Sequence, residues 1–280
     1  MSMKNAKQYL DEIYHQKEQR SEITNLIING KIEGFLDLSD FINLENLECD
    51  FNELSGINLR KNKKLLKINC SNNKIAELNL SNCEKLQSLV CHKNDLVSID
   101  FPNNSINLTY VSCSENNLSD LSIFSGLSGV VKLFIGNPAG RSVEKRFNNF
   151  SFQSLKYLQN CKKLEFIGID HTDVSGIEFL PENLKEITCA GCEEITQKLN
   201  GFKISKPEIR EEDLLNLFSS FPPEEIEEFK KKLRKSEKYD FKKWRETNIL
   251  EINKIIEQEN EEQNIVQLNN FLDLSSLNLV

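Results

Sequence analysis

The chain has 280 residues, 39% hydrophobic and 28% charged, and carries a formal net charge of −8 at pH 7. That length suits one elongated domain or two compact ones, with enough apolar residues for a core. No stretch approaches the roughly 20 continuous apolar residues that cross a bilayer, the first residues hold no apolar signal core, and a net negative chain suits a phosphate backbone poorly. The expectation is a cytoplasmic protein with no membrane and no nucleic-acid partner, whose eight cysteines stay reduced.

Residues 5–20 read as an amphipathic helix with Tyr9, Leu10, Ile13 and Tyr14 on one side and Asn5 and Gln8 spaced as a capping box. As an N-terminal cap (residues 1–22), its task is to cover the open edge of the first repeat. From there the chain repeats. Leu44, Leu65, Leu86, Leu108 and Val130 are spaced 21, 21, 22 and 22 residues apart, and the text after the first four reads LENLECDFNEL, LLKINCSNNKI, LQSLVCHKNDL and LTYVSCSENNL. The template is L-x-x-L-x-C-x-x-N-x-L. Weaker copies start at Ile23, Val130, Leu164 and Leu184, giving about eight units over residues 23–201.

In a short strand, positions 4 and 6 point inward while 3, 5 and 7 point outward. One unit cannot bury its own leucines, so neighbours must stack around a shared core. Asparagine at position 9 (Asn52, Asn73, Asn94, Asn116) suits a chain reversal. Cysteine at position 6 (Cys49, Cys70, Cys91, Cys113, Cys189) serves as a small buried apolar side chain. The back halves, such as Ile57-Asn-Leu59 and Leu78-Asn-Leu80, also alternate and should form the rear wall.

This text resembles the leucine-rich repeat family in its short, cysteine-containing variety, and is most similar to the large sets of such proteins in mycorrhizal and related early-branching fungi. The matching stretches include LDLSDFINLENLEC (36–49), LNLSNCEKLQSLVC (78–91) and SGIEFLPENLKEITC (175–189). The resemblance covers roughly residues 5–195. It implies an α/β solenoid: a leucine-rich repeat arc with a parallel β-sheet on its concave face, an N-terminal capping helix and a C-terminal α-helical segment, generally used to bind another protein.

The unit starting at Val130 is longer than its neighbours. Its insertion, residues 137–150, should project as a loop carrying Arg141, Lys145 and Arg146, and residues 151–161 read as a helix. All eleven glycines and all eight cysteines lie at or before Gly201, so residues 202–280 form a region of different, helical build. A capping box at Ser205–Glu208 opens one helix, Pro222-Pro223 a second, and Asn248 a third with Ile249, Ile252 and Ile256. Residues 257–264 are almost wholly polar, either an exposed turn of that helix or a loop. Leu272-Asp-Leu-Ser-Ser echoes Leu36-Asp-Leu-Ser-Asp and reads as a further half-repeat or the start of a second array.

Little of this carries chemistry. Cys189-Ala-Gly-Cys192 has the spacing of a redox or zinc motif, but both cysteines fall on repeat positions and no second pair follows. Gly136-Asn-Pro-Ala-Gly140-Arg-Ser142 is one residue short of a phosphate-binding loop and lacks its lysine. His92 and Asp170 face the same side three units apart, roughly 15 Å at ~4.8 Å per strand, too far for a dyad. No catalytic residue, metal site or cofactor is expected. What remains is the concave surface, where Val90, His92, Tyr110, Ser112, Lys132, Phe134, Phe166 and Asp170 lie at outward positions. An exposed stripe of Val90, Tyr110, Phe134 and Phe166 ringed by polar groups is what a protein-binding hot spot uses. A protein or peptide ligand on that face is the expected partner. The alternative is an adaptor or regulator, such as a signalling, GTPase or ubiquitin-pathway scaffold, acting through the C-terminal helices.

Overall fold

The computed structural model describes residues 3–138, 147–203 and 238–276. At the N-terminus stand β1 (Lys4–Asn5), α1 (Ala6–Ile13) and α2 (Lys17–Glu22). Each turn of the coil then contributes a three-residue strand to a main sheet: β2 (Asn25–Ile27), β4 (Asn46–Glu48), β6 (Lys67–Asn69), β8 (Ser88–Val90), β10 (Tyr110–Ser112), β11 (Lys132–Phe134), β12 (Phe166–Gly168) and β13 (Glu186–Thr188). These eight pair in parallel, residue for residue. The rear wall holds β3 (Ile32–Asp37) and β5 (Glu53–Asn58), then β7 (Glu77–Asn79) and β9 (Ser98–Asp100), and gives way to single 3-10 turns in the later units. Leu44, Leu65, Leu86 and Leu108 all lie in one continuous core, so the leucine period is the period of the coil.

The position-9 asparagines stitch the turns together. Asn94 Oδ1 accepts from the Ile75 N–H (3.0 Å), and its Nδ2 donates to the carbonyls of Cys70 (2.9 Å) and Cys91 (3.1 Å). Asn73 bonds in the same way to Leu54, Cys49 and Cys70, and Asn116 to Leu96, Cys91 and Cys113. Each amide therefore satisfies a backbone donor of the preceding turn and carbonyls of two turns, all out of reach of water. The long unit keeps this device. Asn148, eleven residues after Asn137, accepts from the Leu118 N–H (3.0 Å) and donates to Cys113 and Ile135. The Asn137 amide also holds the Asn148 backbone twice, its Nδ2 donating to the carbonyl (2.8 Å) and its Oδ1 accepting from the N–H (2.7 Å), closing the insertion at its base, and Phe150 takes the next core position.

A second regularity has no counterpart in the residue types. Position 8 is left-handed in five turns, at Phe51, Asn72, Lys93, Glu115 and His171, with φ from 52° to 55°. Gly191 (φ 69°) takes the same place in the last turn. The N–H there reaches the next turn, as from Lys93 to the Ser114 carbonyl (3.0 Å), so inter-turn bonding imposes a conformation these side chains would not choose.

Several expectations are corrected. The N-terminal helix is broken at residues 14–16, where Tyr14 turns its ring edge-on to Phe41 (5.5 Å) and its carbonyl accepts from Arg20 Nε (3.0 Å). Asn5 caps α1 by accepting from Lys7, not by pairing with Gln8, and Ile13 is 48% exposed. Ala6 and Leu10 enter the core, and β1 adds to the edge of β3. Residues 151–161 hold only a 3-10 turn, Leu155–Leu158, because the chain must return to the main sheet within one coil.

At the other end, β14 (Lys238–Asp240) pairs antiparallel with β13, so the main sheet draws a strand from the region expected to be helical. The helix expected from Asn248 begins at Phe241 and runs through the polar residues 257–264 to Ser276, so Leu272-Asp-Leu-Ser-Ser is helical and not a half-repeat. Its Phe241, Trp244 and Ile252 are buried against the last turns. Arg245 Nη1 donates to the carbonyls of Glu178 (3.2 Å) and Leu180 (3.0 Å), and Lys156 pairs with Glu259 at 2.6 Å. Residues Arg141, Lys145 and Arg146, and the helices expected from Ser205 and Pro222, lie outside the described residues.

All eight cysteines are reduced and buried. Burial pushes the Cys70 thiol up to about 12 and the Cys83 thiol to about 11. Since the thiolate is the reactive form, iodoacetamide at pH 8 should label none of them in the native protein and all of them after denaturation. Labelling of Cys70 or Cys91 in native conditions would contradict the packed ladder.

Candidate partner-binding face

Period-two alternation places positions 3, 5 and 7 of every turn on the outer face of the main sheet. Tyr110, Lys132 and Phe166 share the position-3 row of adjacent strands, and Ser112, Phe134 and Gly168 the position-5 row. The aromatic rings cross between rows. Tyr110 and Phe134 have centroids 5.6 Å apart and Phe134 and Phe166 5.0 Å apart, both tilted pairs. Gly168 leaves room for this, since a Cβ there would stand 3.3 Å from the Phe134 ring. Edge-offset aromatic packing of this kind adds to the burial energy of each ring.

The face is less open than an exposed stripe. Val90 (3% exposed) and Tyr110 (8%) are buried, whereas Lys132, Phe134 and Phe166 are half-buried. One cause is lateral: rungs so close let each ring cover its neighbour. His92, Ser112 and Asp170, expected as surface contacts, are buried too. Burial, helped by the Lys93 ammonium, lowers the His92 pKa to about 3, so the imidazole is neutral; Ser112 Oγ lies 3.4 Å from its Nδ1. Burial raises the Asp170 carboxyl, and the Thr188 hydroxyl and Ala190 N–H, both at 2.8 Å, only partly offset this. Asp170 thus braces the next strand. Towards the N-terminus the face is polar: Asn46 donates to Asn25 (2.5 Å), and burial followed by Asp50 raises the Glu48 carboxyl.

One member of this face was not legible in the sequence. Lys238 of β14 places its Nζ 5.4 Å from the Phe166 ring centroid and 3.1 Å from a Glu186 oxygen, ending the aromatic run with a cation. It lies 72 positions after Phe166, outside every repeat, and no local pattern marks it.

Among the described residues no group of three or more histidine, cysteine, aspartate or glutamate side chains could hold a metal, and no helix is long and apolar enough to cross a membrane. Cys192 is committed to the coil, its Sγ donating to the Ile169 carbonyl at 3.1 Å. Gly136 meets the backbone of the next rung, where a Cβ would lie 2.4 Å from the Asp170 nitrogen; it serves close strand packing. The leucine, cysteine and asparagine positions of the template thus each have one structural place: leucine and cysteine in the core, asparagine between the turns.

The fold is a leucine-rich repeat solenoid. No family model and no curated protein matches the chain. Among solved structures it is similar to the functional domain of InlJ from Listeria monocytogenes, which includes a cysteine ladder (20% identity, 63% of this chain and 46% of that one, TM-score 0.40). It is also similar to the leucine-rich repeat domain of APL1B (17% identity, 56% and 45%, TM-score 0.46) and to the plant peptide hormone receptor RGFR1 in complex with RGF2 (19% identity, 60% and 32%, TM-score 0.47). The chain spans less than half the length of each of these three.

Proposed function

We propose that this leucine-rich repeat solenoid is a non-enzymatic interaction module that takes a protein or peptide on the outer face of its main sheet. The observation that carries the reading is the aromatic run Tyr110–Phe134–Phe166, which crosses three adjacent strands and ends under Lys238. Its two half-buried rings offer apolar area on a rigid scaffold, with Lys132 between Tyr110 and Phe166 in the position-3 row and a Lys–Glu pair at the rim, the layout of an anchor with a polar border. Phe134, Phe166 and Lys132 make the direct contacts. Val90, His92, Tyr110, Ser112 and Asp170 flank these contacts as the buried part of the same face, and Arg141, Lys145 and Arg146 are candidates for a flanking contact. Eight reduced, buried thiols fit a reducing, cytoplasmic setting, and the repeat text fits a fungal source. The adaptor reading is weaker, because the C-terminal helix spends Phe241, Trp244 and Ile252 on sealing the coil.

The test is capture from the source cell with wild type and a Lys132→Glu/Phe166→Ala variant side by side. Loss of two hot-spot contacts should weaken capture by roughly 30-fold or more, while the melting temperature changes little. Undiminished capture by a folded variant would overturn the site.

A further inference from the structure

The first turn of the coil lacks a bond that later turns share. In those turns the position-8 N–H donates to the next rung, as from Phe51 to the Ser71 carbonyl (3.1 Å), Lys93 to Ser114 (3.0 Å) and His171 to Ala190 (2.7 Å). Position 8 of the first turn is Gly30, followed by Lys31 where the ladder has asparagine. Gly30 does not take the left-handed conformation, and the Asp50 carbonyl its N–H would meet accepts from Asn52 Nδ2 instead (2.9 Å). Among the described residues, neither the Gly30 N–H nor the side chain of Asn29 before it has a hydrogen-bond partner. The chain is pinned on both sides of this pair. The Ile28 N–H donates to the Glu48 carbonyl (2.8 Å) and the Ile32 N–H to Asn52 Oδ1 (2.8 Å), while Asn29 is exposed and outside any strand.

We propose that Asn29–Gly30 is a modification site, where Asn29 deamidates without an enzyme and becomes chiefly isoaspartate. The Gly30 nitrogen, unshielded by a side chain and on a backbone free to rotate, attacks Asn29 Cγ. The N–Cγ bond forms, the Cγ–Nδ2 bond breaks, and the Gly30 proton leaves with Nδ2 as ammonia. Water then opens the five-membered imide. Addition at Cγ gives aspartate; addition at the main-chain carbonyl, the more electrophilic of the two, gives isoaspartate, with one more methylene in the backbone. Other asparagines are held back by the fold. The ladder amides, such as Asn73 and Asn94, are buried and bonded through both Oδ1 and Nδ2. At Asn200–Gly201 the Asn200 N–H donates to Gln197 (3.2 Å), and the Phe202 N–H closes the turn on Leu199 (3.0 Å). The product has consequences for the first turn. Asn29 stands in the position-7 row one rung from the buried Asp50, ~4.8 Å away along the sheet, so the new carboxylate meets a like charge. A Cβ on Gly30 would lie 3.3 Å from the Tyr9 ring, so the longer backbone also presses on α1.

The experiment is incubation of the full chain in mildly alkaline buffer at physiological temperature, native and in urea, with mass mapping of the tryptic peptide 21–31. Isoaspartate is counted by methyl transfer from S-adenosylmethionine with an isoaspartyl methyltransferase. In the native chain, conversion at Asn29 should outrun that at Asn200 and at the ladder asparagines, and in urea Asn200 should catch up. Gly30→Ala should slow it roughly tenfold or more, at least about 1.4 kcal/mol in barrier, and Asn29→Gln should leave the peptide unmodified. The converted protein should melt below the fresh one. Asn29 remaining intact in the native chain while Asn200 converts, or equal rates in wild type and Gly30→Ala, overturns the proposal. Neither result bears on the aromatic run, which shares no residue with this pair.

Discussion

Replacing Asn94 with alanine should destabilise the protein by about 3 kcal/mol, because a buried N–H and two carbonyls lose their partner at once and each unsatisfied buried group costs about 1–3 kcal/mol. In a coil of this size that corresponds to a fall in melting temperature of roughly 6–12 °C. The effect should be shared across turns, since the amide joins the turn of Ile75 to its own and removing it uncouples neighbours. Alanine at Asn117, exposed and one residue past the ladder, should change stability by under about 0.5 kcal/mol. Equal losses at the two positions, read from urea or thermal unfolding, would show that the asparagines are not the ties between turns.

The second large effect is a pH dependence centred on His92. Burial holds its folded pKa near 3, far below the ordinary value of about 6.5. A histidine depressed in the folded state leaves stability intact above about pH 6.5 and removes it as the pH falls, because only the unfolded chain takes up the proton. Each unit below that value costs about 1.4 kcal/mol, so about 2.7 kcal/mol is gone by about pH 4.5. Asp170 and Glu48, whose values are raised, act in the opposite sense, and their contribution is lost as the pH rises. The comparison is therefore between wild type and His92→Gln, by urea unfolding at about pH 7.5 and about pH 4.5. The two should converge towards low pH, with wild type losing the larger amount. Parallel losses would mean that His92 is not buried as a neutral group.

Most of the coil was legible because one repeated constraint wrote it. A turn too small to own a core needs leucine, cysteine and asparagine at fixed intervals, and Leu44, Cys70 and Asn94 stand where that reasoning places them. Asn148 was hidden only by counting: the insertion falls between positions 8 and 9, and the text Asn148-Asn149-Phe150 resumes the template afterwards. The left-handed position 8 was invisible, since only Asn72 and His171 lean towards that conformation while Phe51, Lys93 and Glu115 do not, and inter-turn hydrogen bonding decides it. The outward rows of the main sheet were read with the right orientation but the wrong exposure. Alternation tells which way Val90 and Tyr110 point, whereas their burial depends on side chains of adjacent rungs that no local pattern reports. Lys238 shows the limit most clearly, because it reaches the face through an antiparallel strand formed from outside the repeats.

The most direct test of partner binding on the main sheet is amide hydrogen exchange on the chain with and without its captured partner. Exchange should slow over 132–136 and 166–170, with the rear wall and helix 241–276 unchanged. Protection confined to the helix or the rear wall, with the main-sheet strands exchanging as in the free chain, would contradict binding there.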